Sequence, residues 1–321
     1  MKAIVHRSYG SPDVLKCEEA EMPAPGDDEV LVRIRAASLN AMDWHLIRAT
    51  PFPIRLMAGP RKPKRPTPGC DLAGEVASVG SNVTEFKAGD TVFGCGRGTL
   101  AEYVCTTPSM LVAKPANVSL EQAAAVPLAG LTALQGLRRV QPGQRVLING
   151  AGGGVGTFAV QVAKALGAHV TGVCSTHNVE MIRSIGAERV FDYTQEDFTR
   201  SGGAYDVIFD IAGNHPVSAL RRVLAPDGIV VAAGRHDIRG FLGWFVRLLR
   251  HVLLSRFRHQ KCVMHSAKMR KEDLTALRDL IEAGKITPVI DRRYALSEAA
   301  EAVRYFAGGH VGGKVVVTMA T

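Results

Sequence analysis

The chain has 321 residues, 46% of them hydrophobic, which is enough for two domains with cores of their own. Its 39 Lys and Arg outnumber its 30 Asp and Glu, for a net charge of +9, but no cationic tract is interleaved with aromatics and no nucleic-acid partner is expected. No stretch reaches the roughly 18 uncharged apolar residues of a membrane span. The six cysteines are scattered without a CxxC pair, as expected of reduced thiols in a cytoplasmic protein.

In chain order, "MKAIVHRSYG" lacks an apolar signal core and reads as a strand, so no cleaved leader is expected. The first third is β-rich: "EVLVRIRAASLN", "CDLAGEVASVG", "DTVFG" and "LAEYV" are apolar or alternating runs punctuated by Gly and Pro. Between the first two lies "RATPFPIRLMAGPRKPKRPTPG", which reads as a long surface loop. Near Leu120 the character changes. "SLEQAAAVPLAGLTALQGLRRV" carries helix formers behind Ser119 as N-cap. Strands and helices then alternate: "RVLIN", "GVGTFAVQVAKALG", "AHVTGVC", "NVEMIRSIG", "ERVFD", "YDVIFDIAG", a helix over 215–223, and "GIVVAAG". This alternation predicts right-handed βαβ units and a parallel sheet buried on both faces. Beyond residue 265, "KEDLTALRDLIEAGKI" reads as an amphipathic helix ending at Gly284. "SEAAEAVRYFAGG" reads as another, capped by Ser297, and "GKVVVTM" as a closing strand. These pieces are too few to fold alone and are expected to complete the N-terminal β domain.

Ala151-Gly152-Gly153-Gly154-Val155-Gly156 follows a strand and opens a helix, the context a dinucleotide-binding loop requires. Gly153 allows close approach of a pyrophosphate, Gly156 allows close helix–strand packing, and the helix start supplies free N–H groups and a positive dipole end. Ala151 stands where the fingerprint has its first glycine. A carboxylate about 20 residues on normally grips the adenosine ribose hydroxyls. Here the strand end offers Ser175, Thr176, His177 and Asn178, and the first acid after Gly156 is Glu180. Hydroxyl and amide groups, with His177 when protonated and Arg183 nearby, predict NADPH in preference to NADH.

The blocks "SLNAMDWHLIRA", "PGCDLAGEVASVG", "FKAGDTVFG", "AEYV", "VPLAGLTALQGL", "NGAGGGVGTFAVQVAKALGA" and "GGKVVVT", in this order along nearly the whole chain, resemble the zinc-independent quinone oxidoreductase branch of the medium-chain dehydrogenase/reductase superfamily. "CSTHNVE" and "LIEAGKITPVIDRRYALSEA" point toward relatives akin to the mitochondrial reticulon-4-interacting protein. The resemblance implies an α/β protein: a GroES-like β domain from residues 1–118 with 267–321, and a doubly wound Rossmann domain over 119–266, with the active-site cleft at their junction. It implies NADPH-dependent reduction of quinones or α,β-unsaturated carbonyls, with Thr132 and Tyr193 among the cofactor contacts and a homodimer as the assembly. A non-catalytic NADPH-binding or sensing protein, or an alcohol/aldehyde reductase of the same fold, are the alternatives.

The resemblance also implies an absent metal. Zinc-dependent cousins carry a Cys where this chain has Asn40 and a His at or beside Cys70, and their structural lobe needs four closely spaced cysteines. Cys95 and Cys105 stand ten apart, so no soft tetrahedral site is expected, and Cys70 reads as a small buried hydrophobe. Asn40 and Asp43 match the family's polar pair at the cleft: they contact the substrate carbonyl or relay a proton, or else they cap the helix that follows. Tyr9 and Phe52 are expected as apolar walls, and His45 as an ordinary core or surface histidine. The segment "GFLGWFVRLLRHVLLSRFRHQK" is a basic amphipathic helix by pattern, which either packs in the Rossmann domain or meets a membrane or acidic partner.

Overall fold

The computed structural model describes residues 1–50, 52–233 and 260–319, so most of the basic amphipathic segment (240–259) lies outside the described residues. The chain divides into two compact units, Met1–Leu131 with Met269–Thr321, and Thr132–Lys268. The division falls after Leu131 because the helix Leu120–Ala124 lies against the strands Val30–Ser38, Asp71–Val79 and Thr91–Cys95 of the first unit.

The first unit is built mostly on antiparallel pairing, with β14 (Ile290–Ala295) and β15 (Lys314–Thr318) the parallel pair. Strands β1 (Lys2–Val5) and β2 (Lys16–Glu19) form a ribbon. A seven-stranded sheet runs in the order β14 (Ile290–Ala295), β15 (Lys314–Thr318), β3 (Val30–Ser38), β4 (Asp71–Val79), β5 (Thr91–Cys95) and β7 (Leu111–Ala113), with β6 (Tyr103–Thr106) also paired to β3. The closing strand β15 is thus hydrogen-bonded to β3, and one core holds Val30, Val32, Leu72 and Val92 with Leu296, Ala299, Val303, Val315 and Val317. The two chain ends bury their apolar faces against each other, which neither does alone.

The second unit is a six-stranded sheet, parallel throughout. Its order is β10 (Arg189–Asp192), β9 (His169–Cys174), β8 (Arg145–Asn149), β11 (Tyr205–Asp210), β12 (Leu224–Ala232) and β13 (Lys261–Met264). This is the doubly wound order, whose direction reverses between β8 and β11. Val146, Leu147 and Ile148 are fully buried, as a strand covered on both faces requires.

Several local expectations are corrected. The proline-rich stretch after Arg48 contains a helix, Phe52–Ala58, whose Arg55 guanidinium lies 5.4 Å over the Tyr9 ring and whose last turn bonds Gly59 N–H to the Arg55 carbonyl at 2.9 Å. The helical run from Ser119 breaks into α3 (Leu120–Ala124) and α4 (Pro127–Gly136), because Pro127 has no N–H with which to continue the ladder. Ser119 does cap α3: its hydroxyl accepts Gln122 N–H at 3.2 Å while Gln122 Oε1 accepts Ser119 N–H at 3.0 Å. Ser297 does not cap. It sits in a 3-10 turn, Leu296–Glu298, that leads into the helix Ala299–Ala307, and Glu298 accepts the Ala295 N–H at 2.8 Å.

Candidate functional site

The glycine loop lies at the carboxyl end of β8, beside the reversal point where doubly wound sheets bind ligands. Gly150 turns the chain with φ of +92°, and helix α5 (Gly154–Ala165) follows after Gly153 as N-cap. The glycines differ in what surrounds them. A Cβ on Gly156 would meet the Gly150 carbonyl oxygen at 2.2 Å and that of Ala151 at 2.5 Å, so the helix rests directly on the loop. A Cβ on Gly152 would strike Asn178 Nδ2 at 2.6 Å. A Cβ on Gly153 would have only the Gly150 oxygen, 3.9 Å away, and would otherwise project into open space. Ala151 is fully buried, whereas Gly153, Gly154 and Val155 are half-exposed. At Gly153 and Gly154 the outward face is therefore backbone without side chains, and the first-turn N–H groups of Gly154, Val155 and Gly156 have no acceptor within the helix. Such a cradle fits a pyrophosphate.

The neighbouring strand ends supply the polar rim. Ser175 is half-exposed, and Thr176, His177 and Tyr193 are exposed. Asn178 turns inward over the loop and donates to Ser175 Oγ at 3.4 Å. Arg183 is held by Glu180 at 2.8 Å on the surface of its own helix. Residue-by-residue reading missed one group here. Parallel pairing sets Asp192 beside Cys174, so this carboxylate arrives at the end of β9 from the next strand. It accepts Thr176 Oγ1 at 2.5 Å, Thr194 Oγ1 at 2.7 Å, Thr194 N–H at 2.9 Å and Gln195 Nε2 at 3.0 Å. The Thr176 hydroxyl first, and then the other donors, hold its pKa below the usual carboxylate range. The strand-register signal that locates Asp192 exists only once β9 and β10 are paired.

A second missed network ties the loop to β11. The Asn149 carbonyl accepts Ile211 N–H at 2.9 Å and Ala212 N–H at 3.2 Å, while its side chain donates to Asp210 at 2.8 Å and Asn214 at 2.9 Å. Thr132, buried, opens this unit within α4. One surface cavity of this unit, of about 350 Å³, runs from Gln144 and Asp206 at the amino-terminal ends of β8 and β11 to Met264 and His265 at the end of β13. It is not the dinucleotide cradle.

In the first unit the sequence-predicted pair opens helix α1 (Ala41–Arg48). Asp43 accepts the Asn40 N–H at 2.8 Å and closes the first turn. The Asn40 side chain turns away from the helix: Nδ2 donates to Asp71 Oδ2 at 2.8 Å and Oδ1 accepts from Lys314 Nζ at 2.7 Å. Ser38 Oγ at 2.9 Å and Lys314 Nζ at 3.1 Å complete the shell around Asp71 Oδ2. The Lys314–Asp71 pair is almost wholly buried and joins two strands 243 residues apart in sequence. Burial pushes the Asp43 carboxyl up to about 7, with Asp71 adding repulsion against the helping effects of the Asn40 and Gly69 N–H groups and of Lys314. The Tyr9 hydroxyl donates to the Gly59 carbonyl at 2.7 Å, His45 is half-buried, and the Phe52 side chain lies outside the described residues.

All six cysteines are unbridged. The expectation that they stand isolated is corrected: Cys70, Asp71 and Cys95 bring two sulfur atoms and a carboxylate oxygen within 4.8 Å of one another. Linear spacing hides this, because the two thiols meet across paired strands.

Two family profiles match the chain, one described as alcohol dehydrogenase GroES-like domain over residues 26–116 and one as zinc-binding dehydrogenase over 185–317. The chain is 34% identical to a chloroplast envelope quinone oxidoreductase homolog of Arabidopsis thaliana, covering 99% of this chain and 98% of that protein. It is also 34% identical to an NADPH-dependent alkenal/one oxidoreductase, chloroplastic, of the same plant, over 99% of this chain and 79% of that one. The crystal structure of Escherichia coli quinone oxidoreductase complexed with NADPH superposes with a TM-score of 0.84 at 26% identity, over 99% of this chain and 100% of that one.

Proposed function

Because the chain belongs to the quinone oxidoreductase family of medium-chain dehydrogenases/reductases, we propose that it is an NADPH-dependent oxidoreductase that reduces quinones or α,β-unsaturated carbonyl compounds. The observation that carries this reading is the bare backbone of Gly153 and Gly154 at the sheet's reversal point, with open space where a Gly153 side chain would be. When bound, the nicotinamide supplies a hydride, which needs no protein acid. The chain's own residues bind and orient. The α5 N-terminus holds the pyrophosphate. Ser175, His177 and Tyr193 offer exposed polar groups to a 2′-phosphate, while Asp192 is committed to four internal donors and is not the carboxylate that grips ribose hydroxyls. Thr176, whose hydroxyl is given to Asp192, acts through position. Thr132 and Ala151 shape the pocket from buried positions.

In the first unit, Asn40 acts as a positioning residue, since its amide is spent on Asp71 and Lys314. Asp43 is the acid of this cluster that holds a proton near neutral pH, a store from which product protonation can draw. The unbridged cysteines support a reducing, cytoplasmic setting. No described helix is long and apolar enough to cross a membrane. Among the described residues β13 is an edge strand of the parallel sheet, and its exposed Val263 and Met264 support a homodimer. The test is steady-state oxidation of NADPH by the purified protein with a panel of quinones and enones. Turnover with members of the panel is expected, and its absence from a protein that demonstrably binds NADPH would overturn the assignment.

A further inference from the structure

We propose that Cys70, Cys95 and Asp71 form a binding site for one thiophilic divalent cation, such as zinc or cadmium, within the β-rich unit. The site is assembled by strand pairing. β4 and β5 run antiparallel with Asp71 opposite Cys95, and Gly96 N–H donates to the Cys70 carbonyl at 2.8 Å. This brings the residue just before β4 against the end of β5. The two Sγ atoms and a carboxylate oxygen then fall within 4.8 Å of one another. A tetrahedral cation at about 2.3 Å from sulfur and about 2.1 Å from oxygen holds its ligand atoms roughly 3.5–3.8 Å apart.

Asp71 is already oriented as a ligand. Its Oδ2 is saturated by Ser38, Asn40 and Lys314. Among the described residues, its Oδ1 accepts Leu128 N–H at 3.0 Å and a long contact from Cys95 Sγ at 3.8 Å. The direction now facing the Cys95 thiol is the one a cation would use. Carboxylate ligands are commonly fixed by such outer partners. Asn40, which stands where zinc-dependent cousins carry a cysteine, belongs to this outer shell and is not a ligand. Beside the chain that carries Cys70, the buried Thr99 hydroxyl has no hydrogen-bond partner among the described residues, and a Cβ on Gly69 would lie 2.5 Å from its Oγ1.

The charges balance. Each thiol loses its proton to solvent as its sulfur bonds the cation, so binding releases two protons. Two thiolates and Asp71 contribute three negative charges, and the cation with Lys314 contributes three positive ones. Two sulfur donors select a soft or borderline ion over magnesium or calcium. Half-exposure of Cys70 provides the way in, whereas Cys95 is buried. The site shares Asp71 with the network that positions Asn40, but its two thiols have no role in the proposed hydride transfer, and cation binding is read without NADPH turnover.

The experiment uses the full chain, reduced and stripped with a chelator, and titrated with cadmium while sulfur-to-cadmium absorbance and proton release are followed. One cadmium per chain, about two protons released, and competition by zinc are expected. Cys70→Ser and Cys95→Ala should each weaken binding by more than about 100-fold. Cys17→Ser and Cys105→Ser, at cysteines outside the cluster, should leave it unchanged. Because Cys70 is half-exposed, Cys70→Ser keeps the test valid if Cys95→Ala fails to fold. No stoichiometric cadmium, binding that survives Cys70→Ser, or oxidation of the pair to a disulfide in place of cation binding would each overturn the proposal.

Discussion

Asp43 is an acid placed where its charged form is disfavoured, and this sets a pH signature. Its carboxyl rises from 3.8 to about 7 on folding, chiefly through burial. The folded state therefore holds this proton more tightly than the unfolded one. The stability it contributes is complete below pH 3.8 and is lost as pH rises through about 7. Relative to Asp43→Asn, the wild-type protein should lose about 1.4 kcal/mol of stability per pH unit within that window, and the difference should flatten outside it. Urea unfolding of both proteins at pH 5, 7 and 9 measures this, and a pH-independent difference would refute it. The glycine loop gives a second residue-scale contrast. Gly156→Ala forces a methyl into two carbonyl oxygens that cannot retreat, so a loss of about 3 kcal/mol of stability is expected. Gly153→Ala meets open space, so it should fold normally and raise the NADPH dissociation constant about tenfold, the cost of roughly 1.4 kcal/mol at the pyrophosphate. Calorimetric unfolding and binding on the two variants separate packing from ligand contact. The glycine pattern and the Asn40–Asp43 pair were legible in the sequence because each is local. Asp192 and the Asp71–Lys314 pair were not, because each acquires its meaning from a residue on a neighbouring strand.

Among the elements, the first helix stores a correctable strain. It ends at Ala49, which adopts φ of +51° and ψ of +44° to satisfy the last carbonyls. That conformation suits glycine. Ala49→Gly should raise stability by about 0.5–1 kcal/mol, since relief of the strained Cβ outweighs the added freedom of the unfolded chain. An unchanged or lower thermal midpoint would show that the turn carries no such strain. The buried ion pair that fastens β15 to β4 makes the opposite case. Lys314→Met leaves Asp71 charged and without its cation, and a loss of about 3–5 kcal/mol is expected, read from denaturant unfolding at pH 7. The alternating strands and helices of the Rossmann unit were readable from their periodicity. β2, β13 and β14 were not: their runs are short and carry charged or cysteine residues, and only pairing to a neighbour makes them strands. The helix Phe52–Ala58 was hidden by its prolines for the same reason, since tertiary contacts override a weak local signal.

For the molecule as a whole, the order of blocks from both chain ends foretold that the last strand returns to the first sheet, and Val316 paired with Ser38 shows how. The finer cofactor choice depends on a few side chains at one strand end. A carboxylate added there should repel a 2′-phosphate: Ser175→Asp should weaken NADPH by about 1–3 kcal/mol while leaving NADH nearly unchanged. Equal effects on both nucleotides would remove Ser175 from the phosphate pocket. In the proposed reaction this chain passes a hydride from NADPH to an electron-poor unsaturated carbonyl. NADPH deuterated at the donating carbon, incubated with an enone and the wild-type protein, tests it directly by mass spectrometry and NMR of the product. One carbon-bound deuterium is expected at the position β to the carbonyl. A product without carbon-bound deuterium, or no product from protein that binds the nucleotide, would contradict it.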